Sequence, residues 1–427
     1  MSFNRNPSGK NQHRHDEEKE AKVSEALKEY HRRQITNYDT LSALLKSEHQ
    51  IEMSATTVKR RKKQLGLFAA KKTMQNISTA DAEQLVIAEM DKDPAKRFGL
   101  STIKAKVAYN TGTILARDFV SQTMHEHDSE AFANREPTAK KIFRTPKYPV
   151  GIHQRWAGDG HDKLYKIGYP VWAMVDDATA KTLKAWVCPS NRLSKVVVYM
   201  FLCLVEKYGG MPRQVTTDCG AETTELFAVV NMLRNHYHPQ YDAPETPAHV
   251  YLRSVHNVSV ERSWFRLRLD FGDNAVLKFV EGSVQGWYQD DDDKDQLELS
   301  QFLWSRILQA EVDETVNFRN GAPMRSQPDK PGPSGMSRDV AFALPESWGG
   351  INCLLPIPVE RVRRMKADLG GDALLEFTEP EFTARAQAVL DTLQPLKLTL
   401  DNGWTVFRVM LPLVFPHRIF PQAIAHL

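Results

Sequence analysis

Three carboxylates sit where solubility alone does not explain them. Asp159 lies inside Trp156-Ala157-Gly158-Asp159-Gly160-His161-Asp162-Lys163-Leu164. Asp218 ends the apolar run of Val215-Thr216-Thr217-Asp218-Cys219-Gly220-Ala221-Glu222. Glu261 stands in His256-Asn257-Val258-Ser259-Val260-Glu261-Arg262-Ser263-Trp264. Three hard oxygen donors suit Mg²⁺, which takes carboxylates and keeps several waters. Two such ions about 3.5–4 Å apart can activate an oxygen nucleophile and stabilise a leaving oxygen, as phosphodiester cleavage and strand transfer require. In this reading Asp159 bridges the ions. Asp218 holds the ion that activates water or a 3′-hydroxyl, and Glu261 holds the leaving-group ion. The acids are far apart along the chain, so only folding can unite them. The four cysteines, Cys188, Cys203, Cys219 and Cys353, form no CxxC pair and no zinc spacing. They point to a reducing compartment.

Neighbouring polar groups bear on the same site. Asp162 follows Asp159 by three residues, and odd spacing along a strand sends it to the opposite face. Asp176 and Asp177 follow a second apolar run and suit its turn. Glu222 lies just after Gly220, within reach of a supporting role. Asn257 precedes Glu261 by one helical turn and is placed to cap that helix or touch the site.

The elements that must position these groups alternate in character. Residues 156–165, 169–176 and 182–187 read as strands with no helix-length segment between them, hence an antiparallel meander. A long apolar helix over 194–208 is stopped by Gly209-Gly210. A short strand over 213–217 leads into Asp218, and a helix covers 224–236. After a loop, a short run at 250–255 precedes a helix from Ser259 through Leu269. Three antiparallel strands, then helix, strand, helix, strand, helix is the order of an α/β, RNase H-like fold with a mixed five-stranded sheet. Its core is expected over 151–320.

The front of the chain has another character. Residues 1–20 are almost devoid of apolar side chains and read as a disordered tail. Residues 21–75 read as an all-α helix-turn-helix unit. In its third helix Ser54 is the N-cap and Gly66 the stop. Val58 and Leu65 turn inward, and Lys59, Arg60, Lys62 and Lys63 turn outward to meet phosphates and base edges of double-stranded DNA. A similar helical unit follows over 76–135 with fewer bases, then a linker over 136–150. Behind the core come a Pro/Gly-rich connection at 321–345 and a small C-terminal α/β region at 346–427. Asp290-Asp291-Asp292-Asp293 lacks the alternate spacing of a calcium loop and reads as an exposed loop.

Charge follows the same division. Residues 1–150 carry 27 Lys+Arg against 19 Asp+Glu, a net +8, and the remainder 29 against 34, a net −5. A basic front and an acidic back suit an arm that grips nucleic acid and a body that holds cations. No apolar run approaches the roughly 20 residues of a membrane span, so no membrane partner is expected. Nothing suggests a small-molecule cofactor.

At Trp156-x-x-Asp159-Gly-x-Asp162-Lys-Leu, Thr217-Asp218-Cys-Gly-x-Glu222 and Asn257-x-x-x-Glu261-Arg-x-Trp264 the chain resembles the integrase catalytic core of retroviruses and retroelements. It looks closest to the integrase-core proteins of transposon origin in fungal and animal genomes. Pro333-Ser334-Gly335-Met336 is similar to a motif that follows the core in those relatives. The resemblance spans about residues 140–345. It implies a DDE triad of Asp159, Asp218 and Glu261, two Mg²⁺ or Mn²⁺ ions, DNA integration, a homo-multimer and a nuclear location. Two departures stand out. No His/Cys zinc module precedes the core, and Asn317-Phe318-Arg319-Asn320 replaces an Asn-x-His at the last core helix. Two competing readings remain at this level: a catalytically silent, element-derived DNA-binding protein, and an RNase H-like nuclease acting on hybrids.

Overall fold

The computed structural model describes residues 17–93, 97–127, 148–161, 164–241, 246–252, 258–289, 293–327, 329, 331–393 and 397–417. They fall into two compact units, one within Met1–Glu89 and Leu100–Ser129, the other within Met90–Gly99 and Glu130–Leu427.

The first unit holds seven helices among its described residues: α1 (Glu17–Arg32), α2 (Tyr38–His49), α3 (Ala55–Gln64), α4 (Ala70–Asn76), α5 (Thr79–Asp91), α6 (Leu100–Thr111) and α7 (Arg117–His127). Residues 17–20, expected in a disordered tail, already belong to α1; residues 1–16 lie outside the described set. Two helix pairs share one plan. The α2–α3 connection opens with Gln50 at φ 57°, and the α6–α7 connection opens with Gly112 at φ 71°, both left-handed. Each connection is five residues long, Gln50 to Ser54 and Gly112 to Ala116. Ser54 caps α3 by accepting from Thr57 N at 3.3 Å. The buried positions repeat at one spacing: Leu41, Leu45, Val58 and Lys62 in the first pair, Ile103, Val107, Val120 and Met124 in the second.

The second unit is built on a five-stranded sheet in the order β4-β3-β2-β6-β7. The strands are β2 (Arg155–His161), β3 (Val171–Asp176), β4 (Lys181–Val187), β6 (Gln214–Thr217) and β7 (His249–Tyr251). Short β1 (Gly151–Ile152) and β5 (Gly210–Met211) pair outside that sheet with β8 (Ile351–Asn352) and β9 (Leu355–Pro356). The β2–β3 and β3–β4 pairs are antiparallel; β2–β6 and β6–β7 are parallel. This is the mixed sheet of an RNase H-like core. The first strand ends at His161, short of the expected Tyr165, because Leu164–Ile167 coil into a 3₁₀ turn.

Period-two alternation gives the sheet two buried faces. Trp156, Trp172 and Met174 pack on α8 (Ser194–Tyr208) and α9 (Thr224–Tyr237). Ala157, Val171, Ala173 and Val175 pack on α10 (Val258–Leu267), α11 (Asp273–Val284) and α12 (Lys294–Gly321). α8 ends where Gly209 turns left-handed at φ 69°. Asp293 is a cap, accepting from Asp295 N and Gln296 N at the start of α12; Asp290, Asp291 and Asp292 lie outside the described residues.

β4 is an edge strand, with backbone groups that would otherwise lack partners. Side chains of α12 fill them. Gln309 accepts from Val187 N at 2.8 Å and donates to Ala185 O at 3.1 Å. Asn320 accepts from Thr182 N at 3.1 Å and donates to Thr182 O at 2.8 Å. The departure at Asn317-Phe318-Arg319-Asn320 therefore leaves the outer wall supported, through Asn320.

The C-terminal residues do not stand apart as a separate small region. After α13 (Arg338–Ala343), helix α14 (Val359–Leu369) ties to α8 through Arg363 and Lys366, both on Glu206. α15 (Pro380–Thr392) and α16 (Gly403–Val414) bring Phe382, Trp404, Phe407 and Met410 into the core with Trp304 and Phe279. Trp404 lies where a side chain at Gly282 would stand, and it donates to Lys278 O at 2.9 Å. Of the α/β region expected over 346–427, the strands are the short β8 and β9, and the described part of residues 372–427 is helical. No described helix is long and apolar enough to cross a membrane.

Candidate active site

The register of two strands sets the first two acids at equal offsets from one paired position. β2 and β6 run parallel with Ala157 opposite Thr216. Asp159 and Asp218 stand at that same offset, each two residues further along its strand direction. Both are half-buried. Two residues on means the same face, so Asp159 shares the side of Ala157, which is the α10 side of the sheet.

The glycines around Asp159 have a packing reason. A side chain at Gly158 would come within 2.8 Å of the Trp172 ring, and one at Gly160 within 2.8 Å of Asn191 Nδ2. Only residues without Cβ let the strand lie this close to its neighbours on the opposite face, that of Trp156 and Trp172. The carboxylate itself is held. Its Oδ1 accepts from Gly160 N at 2.9 Å, and its Oδ2 accepts from the indole Nε1 of Trp264 at 2.9 Å. That indole stacks flat on His161, two residues along the strand, at 4.7 Å and 8°.

Asp218 opens a pinned loop. Thr217 Oγ1 donates to Asp218 O at 3.0 Å, and Thr223 Oγ1 reaches Asp218 O at 3.2 Å and Gly220 O at 2.8 Å. Glu222 folds back so that its carboxyl occupies the space a side chain at Gly220 would need. That explains the glycine at this place. Beside Thr217, His249 of β7 shares a hydrogen bond at 3.2 Å, and burial pushes its pKa down to about 4, leaving it neutral near pH 7. Phe227 and Tyr251 stack near the same strand end at 5.6 Å, each partly exposed. Nothing in their spacing along the chain foretold that pair.

Glu261 lies on α10, one turn before Trp264. α10 packs on β2 through Val260 and Trp264 in the core that also holds Ala157. The side chain of Glu261 lies outside the described residues, as do Asp162 and Asn257 altogether. Among the described residues no cluster of three His, Cys, Asp or Glu side chains is set to hold a metal. The chemistry of the donors does fit one. Asp159 and Asp218 are hard carboxylates, each two residues past the paired Ala157 and Thr216, and such oxygens suit a hard divalent ion.

In the first unit, Lys59, Arg60 and Lys63 are exposed on α3. Lys62 is not: it is 7% exposed. The expectation that it faces outward fails because Lys62 follows Val58 by four residues, which puts both on one helix face. Lys62 occupies the place that Met124 fills in the second pair. His31 is buried nearby, and its pKa falls to about 4 through burial first and the charge of Lys62 second.

The main contact missed at the sequence level is the one from Trp264 to Asp159. Its signal was present in the Glu261-Arg-x-Trp264 spacing, since a residue three past Glu261 shares its helix face.

Residues 148–336 match the family model described as integrase core domain. No curated protein matches the chain.

Proposed function

From the premise that residues 148–336 are an integrase core domain of the retroviral and retrotransposon type, we propose that the protein is a DDE-type polynucleotidyl transferase that cleaves and joins DNA strands. The observation that carries this reading is the parallel pairing of β2 and β6 at Ala157 and Thr216, two residues before Asp159 and Asp218, with α10 packed on the face of Ala157. Asp159, Asp218 and Glu261 are the catalytic residues and metal ligands. Two Mg²⁺ or Mn²⁺ ions, when bound, supply the Lewis acidity that activates the attacking oxygen and steadies the leaving one. The chain supplies position. The strand pair fixes two carboxylates, the Thr217 and Thr223 hydroxyls hold the loop after Asp218, and the indole of Trp264 orients Asp159.

The first unit is the DNA grip. α3 presents Lys59, Arg60 and Lys63 to the phosphates of double-stranded DNA in helix-turn-helix fashion. Action on two DNA ends fits a homo-multimer, and the substrate fits a nuclear location.

The test is a joining assay. Purified protein is incubated with oligonucleotides bearing candidate element ends and Mn²⁺, and joined products are resolved by length. Asp218→Asn is expected to abolish joining while DNA binding stays near wild type. Equal joining by wild type and variant would reject the catalytic assignment. Cleavage of RNA–DNA hybrids without joining would favour the nuclease reading.

A further inference from the structure

Trp264 is 5% exposed, and its indole N–H faces a carboxylate. A buried indole N–H usually finds an acceptor, because leaving it without one costs its lost hydration. A backbone carbonyl is the usual acceptor for such groups, as Trp404 and Trp348 show here with Lys278 O and Ala341 O. Trp264 instead donates to Asp159 Oδ2 at 2.9 Å, a charge-assisted bond. Its ring is clamped as well, flat against the imidazole of His161 at 4.7 Å. His161 and Asp159 stand two residues apart on β2, so one side chain of α10 grips the strand twice on one face.

Resting on the function proposed above, we infer that Trp264 is a positioning residue for the metal-binding carboxylate. Its N–H fixes the plane of the Asp159 carboxylate, and its ring sets the rotation of α10 against β2. Glu261 lies one turn earlier along α10, so the set of that helix against β2 governs where its backbone stands. A carboxylate oxygen can accept more than one partner, so a bond from Trp264 is compatible with ligation of an ion by the same carboxylate. Hydrogen-bond partners behind metal ligands are worth about 10–100-fold in metal affinity.

A purely architectural role predicts something different. It needs the ring and not the N–H, since packing and stacking belong to the ring. Two variants separate the roles. Trp264→Phe keeps an aromatic ring and loses the donor. Trp264→β-(3-benzothienyl)alanine keeps both rings and the shape, with sulfur in place of the N–H. Mn²⁺ uptake by the full chain, titrated with MnCl₂ and followed by the electron paramagnetic resonance of free Mn²⁺, needs no DNA and no turnover. Both variants are expected to bind Mn²⁺ about 10–100-fold more weakly than wild type. The benzothienyl variant should show an unchanged melting temperature. In the wild type, the ¹⁵N-indole resonance that disappears in Trp264→Phe should move when Mg²⁺ is added. It should stay still in Asp159→Asn. Wild-type Mn²⁺ affinity in the benzothienyl variant overturns the positioning role and leaves the triad standing. A wild-type chain that takes up no Mn²⁺ overturns the proposed function, and this assignment with it.

Discussion

The strand that carries Asp159 and the basic helix α3 answer to spacing in different ways. On β2 Asp159 stands two residues from Ala157 and so shares its face, because a strand has only two faces. On α3 four bases were assigned outward, and one of them, Lys62, turns in. A helix has a continuous circumference. A base four residues from a buried Val58 sits on the buried stripe whatever its charge. The comparison teaches that residue type predicts chemistry better than it predicts facing, and that facing must be read from period alone.

The strongest break of this comparison is Asp159→Asn. If Asp159 is a ligand, metal-dependent joining should fall by about three orders of magnitude or more, while DNA binding holds. A variant that joins DNA at the wild-type rate would make the core site no better founded than the outward placement of Lys62.

Next in size is the edge of the sheet. Asn320→Ala removes both partners of Thr182 and should cost about 1–3 kcal/mol in denaturant unfolding. A smaller cost than that of an exposed alanine substitution on α12 would show that the amide does not seal the edge.

Lys59, Arg60 and Lys63 sharpen the other side. Replacing all three with Gln should weaken DNA binding and flatten its salt dependence by about 0.9 per lost phosphate contact. Lys62→Met should leave that salt slope unchanged. It should also raise the melting temperature slightly, since burial disfavours the lysine charge and Met124 fills the matching place. A flatter slope for Lys62→Met would return this lysine to the interface.

The smallest effect is a pH dependence in the first unit. His31 has its pKa lowered to about 4 from 6.5. The unfolded chain therefore binds the proton more readily between those values. The contribution of neutral His31 to stability is complete above pH 6.5 and is lost as pH falls toward 4. Lys62→Met should narrow this window without closing it, because burial is the larger cause. The readout is the His31 ring resonance titrated in wild type and variant.

Much of this was legible in the sequence. The apolar helix 194–208 is bounded as its sequence pattern indicates, by Gly209 at its end. The strand order followed from segment lengths, because three strands without helices between them must turn back on themselves. Other features were not legible. Asn320 looked like a departure from a pattern, and only the fold shows its amide closing an edge strand 138 residues away. The C-terminal helices carry ordinary amphipathic spacing, which says that they pack and not on what; Trp404 finds Gly282 only in three dimensions.

By itself the sequence determined the chemical inventory: one acid within a strand, one at a strand's end and one on a helix, and a basic helix with its own cap. Periodicity is local, so these could be read from neighbours along the chain. The tertiary structure alone decided which partners meet. It ran β2 and β6 parallel with Ala157 opposite Thr216, two residues before Asp159 and Asp218, and it put the indole of Trp264 on Asp159. Hydrogen bonds between distant residues depend on register and helix rotation, and those are fixed only when whole faces are buried together.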